Sequence, residues 1–206
     1  MTKRIDGPPR QVRASRKRVE ILRAAVILMT AHGTAAVTHR SVAQAAGVSL
    51  GAIRYYFATR EALLLACVDH VETERATAAE DVLATAQRRP PADAGEVAAL
   101  LLTAYYGPRQ DDATLAGTLG WVVDCARESD ALSTRVARAR AVMDRQVGDL
   151  LDACDRSEVP ATLVGAVIDG SVVTATAEGE RGIADRALRE LIGMLQIGAR
   201  ARAHPR

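Results

Sequence analysis

Three hydroxyl residues, Thr38, Ser49 and Thr59, stand about ten positions apart, each just ahead of a run with helical apolar spacing. A Ser or Thr at a helix start accepts a hydrogen bond from one of the first backbone N–H groups, which have no partner inside the helix. The spacing therefore predicts two very short helices, followed by a long one. The first turns Val42 and Ala45–Ala46 inward, the second Ile53 and Phe57. The long one carries Leu64, Val68 and Val71, and continues through Val82 towards Arg89. Ahead of them Val19, Leu22, Val26 and Met29 recur at helical intervals until Gly33 stops the pattern.

The rest of the chain keeps the same period. Pro90–Pro91 breaks it, and Asp93 with Glu96 three residues on reads as a capping-box-like start for a helix through Val97, Leu100, Leu101 and Ala104. Gly107–Pro108 ends that helix. Further runs follow around Leu115–Ala126, Leu132–Leu151, Val164–Val172 (opened by Pro160) and Leu188–Leu195, the last after Gly179 and Gly182. No strand alternation, hairpin dipeptide or solenoid repeat interrupts them. The expected fold is all-α, with about nine helices. Aromatics make up 3% of the chain while hydrophobic residues reach 49%, a mix that allows a sizeable core built from helix-favouring residues. No stretch of about eighteen apolar residues runs uncharged, and no signal-peptide core follows the basic N-terminus, so a soluble protein of the cytoplasm is expected. Arginine outnumbers lysine 25 to 2, which reads as a GC-rich bacterial genome. Cys67, Cys125 and Cys154 form no C-x-x-C pair and are expected to be buried packing thiols.

Charge divides the chain. Residues 1–62 carry eleven Lys/Arg against three Asp/Glu, and the remainder sixteen against twenty-two, within a net charge of +2. The first segment is electrostatically suited to a polyanion. It is also where three short helices fall within forty residues, the second and third joined at Ala46-Gly47-Val48-Ser49. That layout is a helix-turn-helix. Gly47 permits the positive φ of the turn, Val48 plugs the small core, and Ser49 caps the third helix. The outer face of that helix, Leu50, Gly51, Ala52, Arg54 and Tyr55, would enter a DNA major groove, with small residues where the backbone must come close. Ile53 and Phe57 read as core. Residues 1–14, with Lys3, Arg4, Arg10 and Arg13, read as a flexible basic arm. It either enters the minor groove or lends only general attraction. The boundaries expected are 1–14 for the arm, 15–62 for the DNA-binding domain and 63–206 for the helical body.

The run Ile21-Leu22-x-Ala24-Ala25, Gly33, Thr38, Val42-Ala43-x-x-Ala46-Gly47-Val48-Ser49, Gly51, Tyr56-Phe57 and Arg60-Glu61-x-Leu63-Leu64 resembles the tetracycline-repressor (TetR) family of bacterial transcription regulators. The resemblance covers about fifty contiguous residues. It implies phosphate contacts from Thr38, Arg40, Ser49, Tyr56 and Arg60, and base-facing roles for Leu50, Gly51, Ala52, Arg54 and Tyr55. The family often has Tyr at the place of Arg54 and Lys at that of Arg60. Arg54 could read guanine or hold phosphate.

For the body, the resemblance implies an effector pocket and a homodimer through the last two helices, with Leu188, Leu191, Ile192 and Leu195 as the seam. The implied partners are a double-stranded operator of paired half-sites, a small-molecule effector and a second copy of the chain. Candidates for the pocket are His70, Tyr105, Trp121, Met143 and Asp169. Trp121 and Met143 could equally be core, and His70 a surface residue. Asp169, in an apolar run, needs a partner if buried. The expected activity is that of a repressor released by its effector, with an effector-independent regulator or an activator as the alternative. A carboxylate-bridged metal enzyme needs Glu-x-x-His pairs, and none of His32, His39, His70 and His204 completes one. No Gly-rich phosphate loop or Gly-x-Ser-x-Gly is present. Neither metal, cofactor nor catalysis is expected.

Overall fold

A computed structural model describes the backbone of residues 10–203 and the side-chain surroundings of residues 15–198. The described residues form nine α-helices: α1 (Arg10–His32), α2 (His39–Ala45), α3 (Leu50–Tyr56), α4 (Arg60–Arg88), α5 (Ala94–Tyr106), α6 (Asp112–Glu128), α7 (Asp130–Ala153), α8 (Ala161–Glu178) and α9 (Ile183–Ala203), with one 3-10 turn at Thr34–Ala36. No strand occurs among them. The all-α expectation holds.

Caps set the helix starts. Thr38 Oγ1 accepts from Ser41 N at 3.1 Å while Ser41 Oγ accepts from Thr38 N at 3.0 Å, a reciprocal capping box. Ser49 and Thr59 accept from Ala52 N and Ala62 N at 3.2 and 3.0 Å. Asp93 Oδ1 holds Gly95 N and Glu96 N. The Glu96 carboxylate reaches back to Ala92 N rather than to the cap residue itself. α9 is capped from a distance: both Asp112 oxygens, at the start of α6, accept from Gly182 N and Ile183 N at 2.9 and 2.8 Å.

Two large cores, and a small cluster of Leu115, Val172, Ala175 and Ile183, organise the packing. The larger gathers α5, α7, α8, α9 and the C-terminal half of α4 around Leu101, Leu102, Leu150, Leu151 and Ile168. The other fills the head between α1, α2, α3 and the start of α4, with Ile21, Met29, Val42, Ile53 and Phe57. This second core does not stop at the head: Trp121 and Cys125 of α6 and Leu132 of α7 belong to it. α8 is the one described helix long and apolar enough to cross a membrane by length and composition. Its Val164, Ile168, Val172 and Ala175 are buried in the protein. All three cysteines are free and buried. Burial pushes the Cys67 thiol up to about 12 and that of Cys125 to about 11, which keeps both protonated and inert.

Two expectations are corrected. α1 begins at Arg10, so residues 10–14, read as the end of a flexible arm, are helical. Arg, Gln, Val and Ala follow Pro9 with no breaker among them, so nothing stops the helix from starting there. Arg10 and Arg13 therefore lie on its first turn. Residues 1–9 of the expected arm lie outside the described residues. The seam on α9 also differs. Leu191 and Leu195 are fully buried in the larger core, with Leu188 and Ile192 packed against it, because α5 and α8 of the same chain lie over them. Among the described residues, the large apolar side chains left exposed on the last two helices are Leu163, Val173 and Ile197.

Where α6 crosses α1, backbone meets backbone. A Cβ placed on Gly117 would lie 2.1 Å from the carbonyl oxygen of Thr30 and 2.8 Å from its methyl group. An interior helical Gly→Ala change normally stabilises by about 0.5–1 kcal/mol. Gly117→Ala is expected to do the reverse, destabilising by about 1–3 kcal/mol as the crossing is forced apart. Urea unfolding of the two proteins decides the sign.

Candidate nucleic-acid interface and ligand cavity

The turn between α2 and α3 is closed by Val48 N donating to Ala43 O at 3.0 Å, and Gly47 takes φ +61°, a conformation costly to a residue with a side chain. Ile53 and Phe57 anchor α3 to the head core, and Arg18 of α1 stacks its guanidinium over the Phe57 ring at 5.3 Å. His39 Nε2 hydrogen-bonds Phe57 O at 2.8 Å, tying the start of α2 to the end of α3. Neither tie was expected from the sequence. Each fixes the angle at which α3 is presented.

Held this way, α3 leaves Leu50, Gly51, Arg54 and Tyr55 exposed on one side, with Ala52 partly covered between them. Tyr55 is 82% exposed and meets Tyr56 edge to face, with 5.1 Å between ring centroids. Thr38, Arg40 and Ser49 are exposed on the same head, and Tyr56 is half-buried. All ten head residues singled out for DNA lie at or near the surface, and nine of them make no side-chain hydrogen bond to the body.

Arg60 is the exception. Its Nε donates to Val37 O at 2.8 Å, its Nη2 to Thr34 O at 2.6 Å, and its Nη1 pairs with Glu128 near the end of α6. Every arm of this guanidinium is engaged across the join between head and body, with the side chain still about one third exposed. Two further bonds reinforce that join. Asp124 Oδ2 accepts from Thr34 N at 3.3 Å, and Ser129 Oγ donates to Glu61 at 2.6 Å.

One helix turn before Asp124, α6 presents Thr118, Trp121 and Val122 to a cavity of about 330 Å³. Tyr105, Trp121, Met143 and Asp169 all line it, as four of the five sequence candidates. His70 does not. It lies on α4 beside Glu74, with Nε2 3.4 Å from Oε1, and leaves the wall to its neighbours Val71 and Glu72.

The polar wall is built around two arginines that the sequence did not single out. Asp169 finds the partners it needs: Tyr105 donates at 2.7 Å, Tyr106 at 3.3 Å, and Arg140 Nη1 at 2.9 Å. Arg140 also stacks over the Tyr105 ring at 5.1 Å. Burial, and then the Asp169 charge, push both tyrosine hydroxyls well above the usual phenol range, so they remain donors. Gly165 makes room for this group, since a Cβ there would meet Arg140 Nη2 at 2.5 Å. Arg75, 6% exposed, grips Glu72 with two bonds at 2.8 and 2.6 Å and donates to Ala104 O at 2.6 Å and to Gln146. Among the described residues no cluster of three His, Cys, Asp or Glu could hold a metal ion.

With this geometry established, the comparisons fall into place. Residues 21–67 match the tetR family of bacterial regulatory proteins. No curated protein matches the chain. A TetR transcription regulator from Haloarcula marismortui shares the fold at 21% identity, aligned over 90% of this chain and 96% of that one, with a TM-score of 0.64. A TetR-family member from Streptomyces coelicolor A3 is 28% identical over 85% of this chain and 98% of its own, at a TM-score of 0.60. The multidrug binding protein EbrR, in complex with imidazole, is 27% identical over 93% of this chain and 97% of that one, at 0.59. Residues 21–67 thus carry a segment that matches the tetR family, folded as a helix-turn-helix, and the chain shares its all-α architecture along its length with solved TetR-family regulators.

Proposed function

We propose that the protein is a cytoplasmic homodimeric repressor that leaves its operator when a small molecule enters the cavity behind α6. The observation that carries this reading is that one helix serves both ends. α6 supplies Thr118, Trp121 and Val122 to the cavity, and one to two turns later Asp124 and Glu128 hold Thr34 and Arg60 of the head. A ligand that shifts α6 changes the angle of α3, and DNA that fixes α3 opposes that shift. Coupling of this kind is reciprocal by thermodynamic necessity. That EbrR, 27% identical, is a multidrug binding protein that forms a complex with malachite green supports a small-molecule effector.

On the DNA side, Tyr55, Arg54, Leu50, Gly51 and Ala52 meet the base edges, while Thr38, Arg40, Ser49 and Tyr56 hold phosphate. Arg10 and Arg13 add to the basic charge of the N-terminal segment. Arg60 acts by holding the head in place. These roles separate in a salt titration of operator binding. Ala52→Glu, which sets bulk and charge against the groove, is expected to abolish binding. Arg40→Ala is expected to weaken it and to make the log–log salt slope shallower by about 0.9, the value for one phosphate contact. Arg60→Ala is expected to weaken binding with the slope unchanged. A slope lowered by Arg60→Ala would return that residue to the phosphate.

The dimer follows from what α8 and α9 leave uncovered. Leu163, Val173 and Ile197 are exposed, Ile197 at 70%, and Gly170 and Gly193 have open space where a Cβ would point. Leu163, Met194 and Ile197 line a shallow groove between the two helices. A second copy laid against this face buries it and sets two reading helices a fixed distance apart, as paired half-sites require. Sedimentation is expected to give a dimer for the native chain and a folded monomer for Val173→Asp, since an unpaired charge buried at an interface costs several kcal/mol. A native monomer at micromolar concentration contradicts the dimer.

A further inference from the structure

We propose that Asp112 is a positioning residue for DNA recognition: it anchors the start of α6 to the dimer helices and so fixes the spacing between the two reading heads. This rests on the reading of the protein as a homodimer through α8 and α9.

Two adjacent carboxylates open α6 and serve different helices. Asp111 caps α6 itself, its Oδ1 accepting from Thr114 N at 2.9 Å and its Oδ2 from the Thr114 hydroxyl at 2.6 Å. Asp112 is left to another helix: both its oxygens accept from α9, from Gly182 N at 2.9 Å and Ile183 N at 2.8 Å. The residue in the capping position of α9 is Gly182, whose carbonyl takes the bond from Arg186 N at 3.2 Å. A glycine has no side chain to offer the orphan amides of a helix start, so the task passes to α6. The negative charge also suits the positive end of the helix dipole. Below this tie Leu115 of α6 packs with Val172 and Ala175 of α8 and Ile183 of α9, all buried. Arg186 closes the turn between α8 and α9 by pairing with Glu178 and Glu180, each at 2.6 Å. The start of α6 is thus joined to the frame that the last two helices build.

Further along, α6 is joined to the head, by the close crossing of Gly117 over Thr30 and then by Asp124 on Thr34 and Glu128 on Arg60. At 1.5 Å per residue the crossing lies about 8 Å from Asp112. A shift of about 1 Å at the anchor therefore tilts α6, and the head with it, by about 7° across that span. Apolar packing of α6 on the body is non-directional, whereas two hydrogen bonds converging on one carboxylate fix where the helix end lies. In a dimer the two heads bind paired half-sites as linked modules, and the gain from linkage depends on how stiffly the second head is held over its site. A loosened anchor lowers that gain and widens the range of spacings accepted. It leaves the contacts that each head makes with its own half-site intact.

The probe is a paired half-site duplex selected from random DNA by the native protein. A single half-site cut from it and a copy with two base pairs inserted at its centre complete the set. Asp112→Asn keeps the size of the side chain but turns an amide donor towards the donors of α9, so that one of the two bonds is lost. The variant is expected to remain a folded dimer by thermal melting and sedimentation, and to bind the single half-site as the native chain does. Its affinity for the paired duplex is expected to fall about tenfold, and its preference for the native spacing over the widened one to shrink by a similar factor. Glu128→Gln, at the other end of α6, is expected to narrow the same preference. An unchanged spacing preference in a folded, dimeric Asp112→Asn overturns the anchor. Equal losses on single and paired sites overturn it as well, since they mark a defect in the head itself. A monomeric variant places Asp112 in the service of the dimer contact and overturns its role in spacing. A native chain that sediments as a monomer removes the dimer reading, and this inference with it.

Discussion

The guanidinium of Arg60 is where the two halves of the chain are joined. Its three arms reach two carbonyl oxygens of the loop that follows α1 and one carboxylate of α6, 68 residues away along the chain. Two of those partners belong to the head and one to the body. The planar fork of an arginine suits such a junction, because it fixes direction as well as charge. Asp124 on the same face of the join takes the amide of Thr34, and the apolar contacts of Trp121, Cys125 and Leu132 continue the head core into the body beneath these polar ties. The head is therefore not a bead on a linker. Its orientation is set by α6, and α6 is set in turn by the close crossing of Gly117 over Thr30.

The charges in the cavity wall come from other helices and are matched among themselves. Three carboxylates and three arginines drawn from α4, α7, α8 and the segment after α5 face one another in pairs. A paired group in a partly dry wall holds its geometry because separation would expose two uncompensated charges. The Asp169 cluster thus braces α5, α7 and α8 around the cavity, and the space left between the braces is apolar.

Legibility in the sequence followed locality. Thr38, Ser49 and Thr59 cap helices within three residues of themselves, so their role was visible from spacing alone, and Ile53 and Phe57 declared themselves core by periodicity. Tyr105, Trp121, Met143 and Asp169 were found through the resemblance and through the oddity of a carboxylate in an apolar run. What escaped was paired across distance. Nothing near Arg60 indicates Glu128, and nothing near Asp112 indicates that it caps α9. Arg75 and Arg140 look like ordinary surface arginines until Glu72 and Asp169 are seen beside them. The α9 leucines misled for a related reason: a seam covered by the chain's own α5 and α8 has the same period as one covered by a partner. At the N-terminal end, helix-favouring residues after Pro9 outweighed the basic character that had suggested an arm.

The central claim is that the cavity and the reading head are coupled through α6, and reciprocity offers the most direct measurement of it. The affinity of a small molecule found to quench the single tryptophan, Trp121, is measured on the free protein and again on the protein saturated with operator DNA. The account requires the affinity to fall in the DNA complex by the same factor by which the ligand weakens operator binding, a factor of about 5–150 for couplings of ordinary size, and to fall much less in Glu128→Gln, where the junction is loosened. Equal ligand affinity with and without DNA contradicts the coupling.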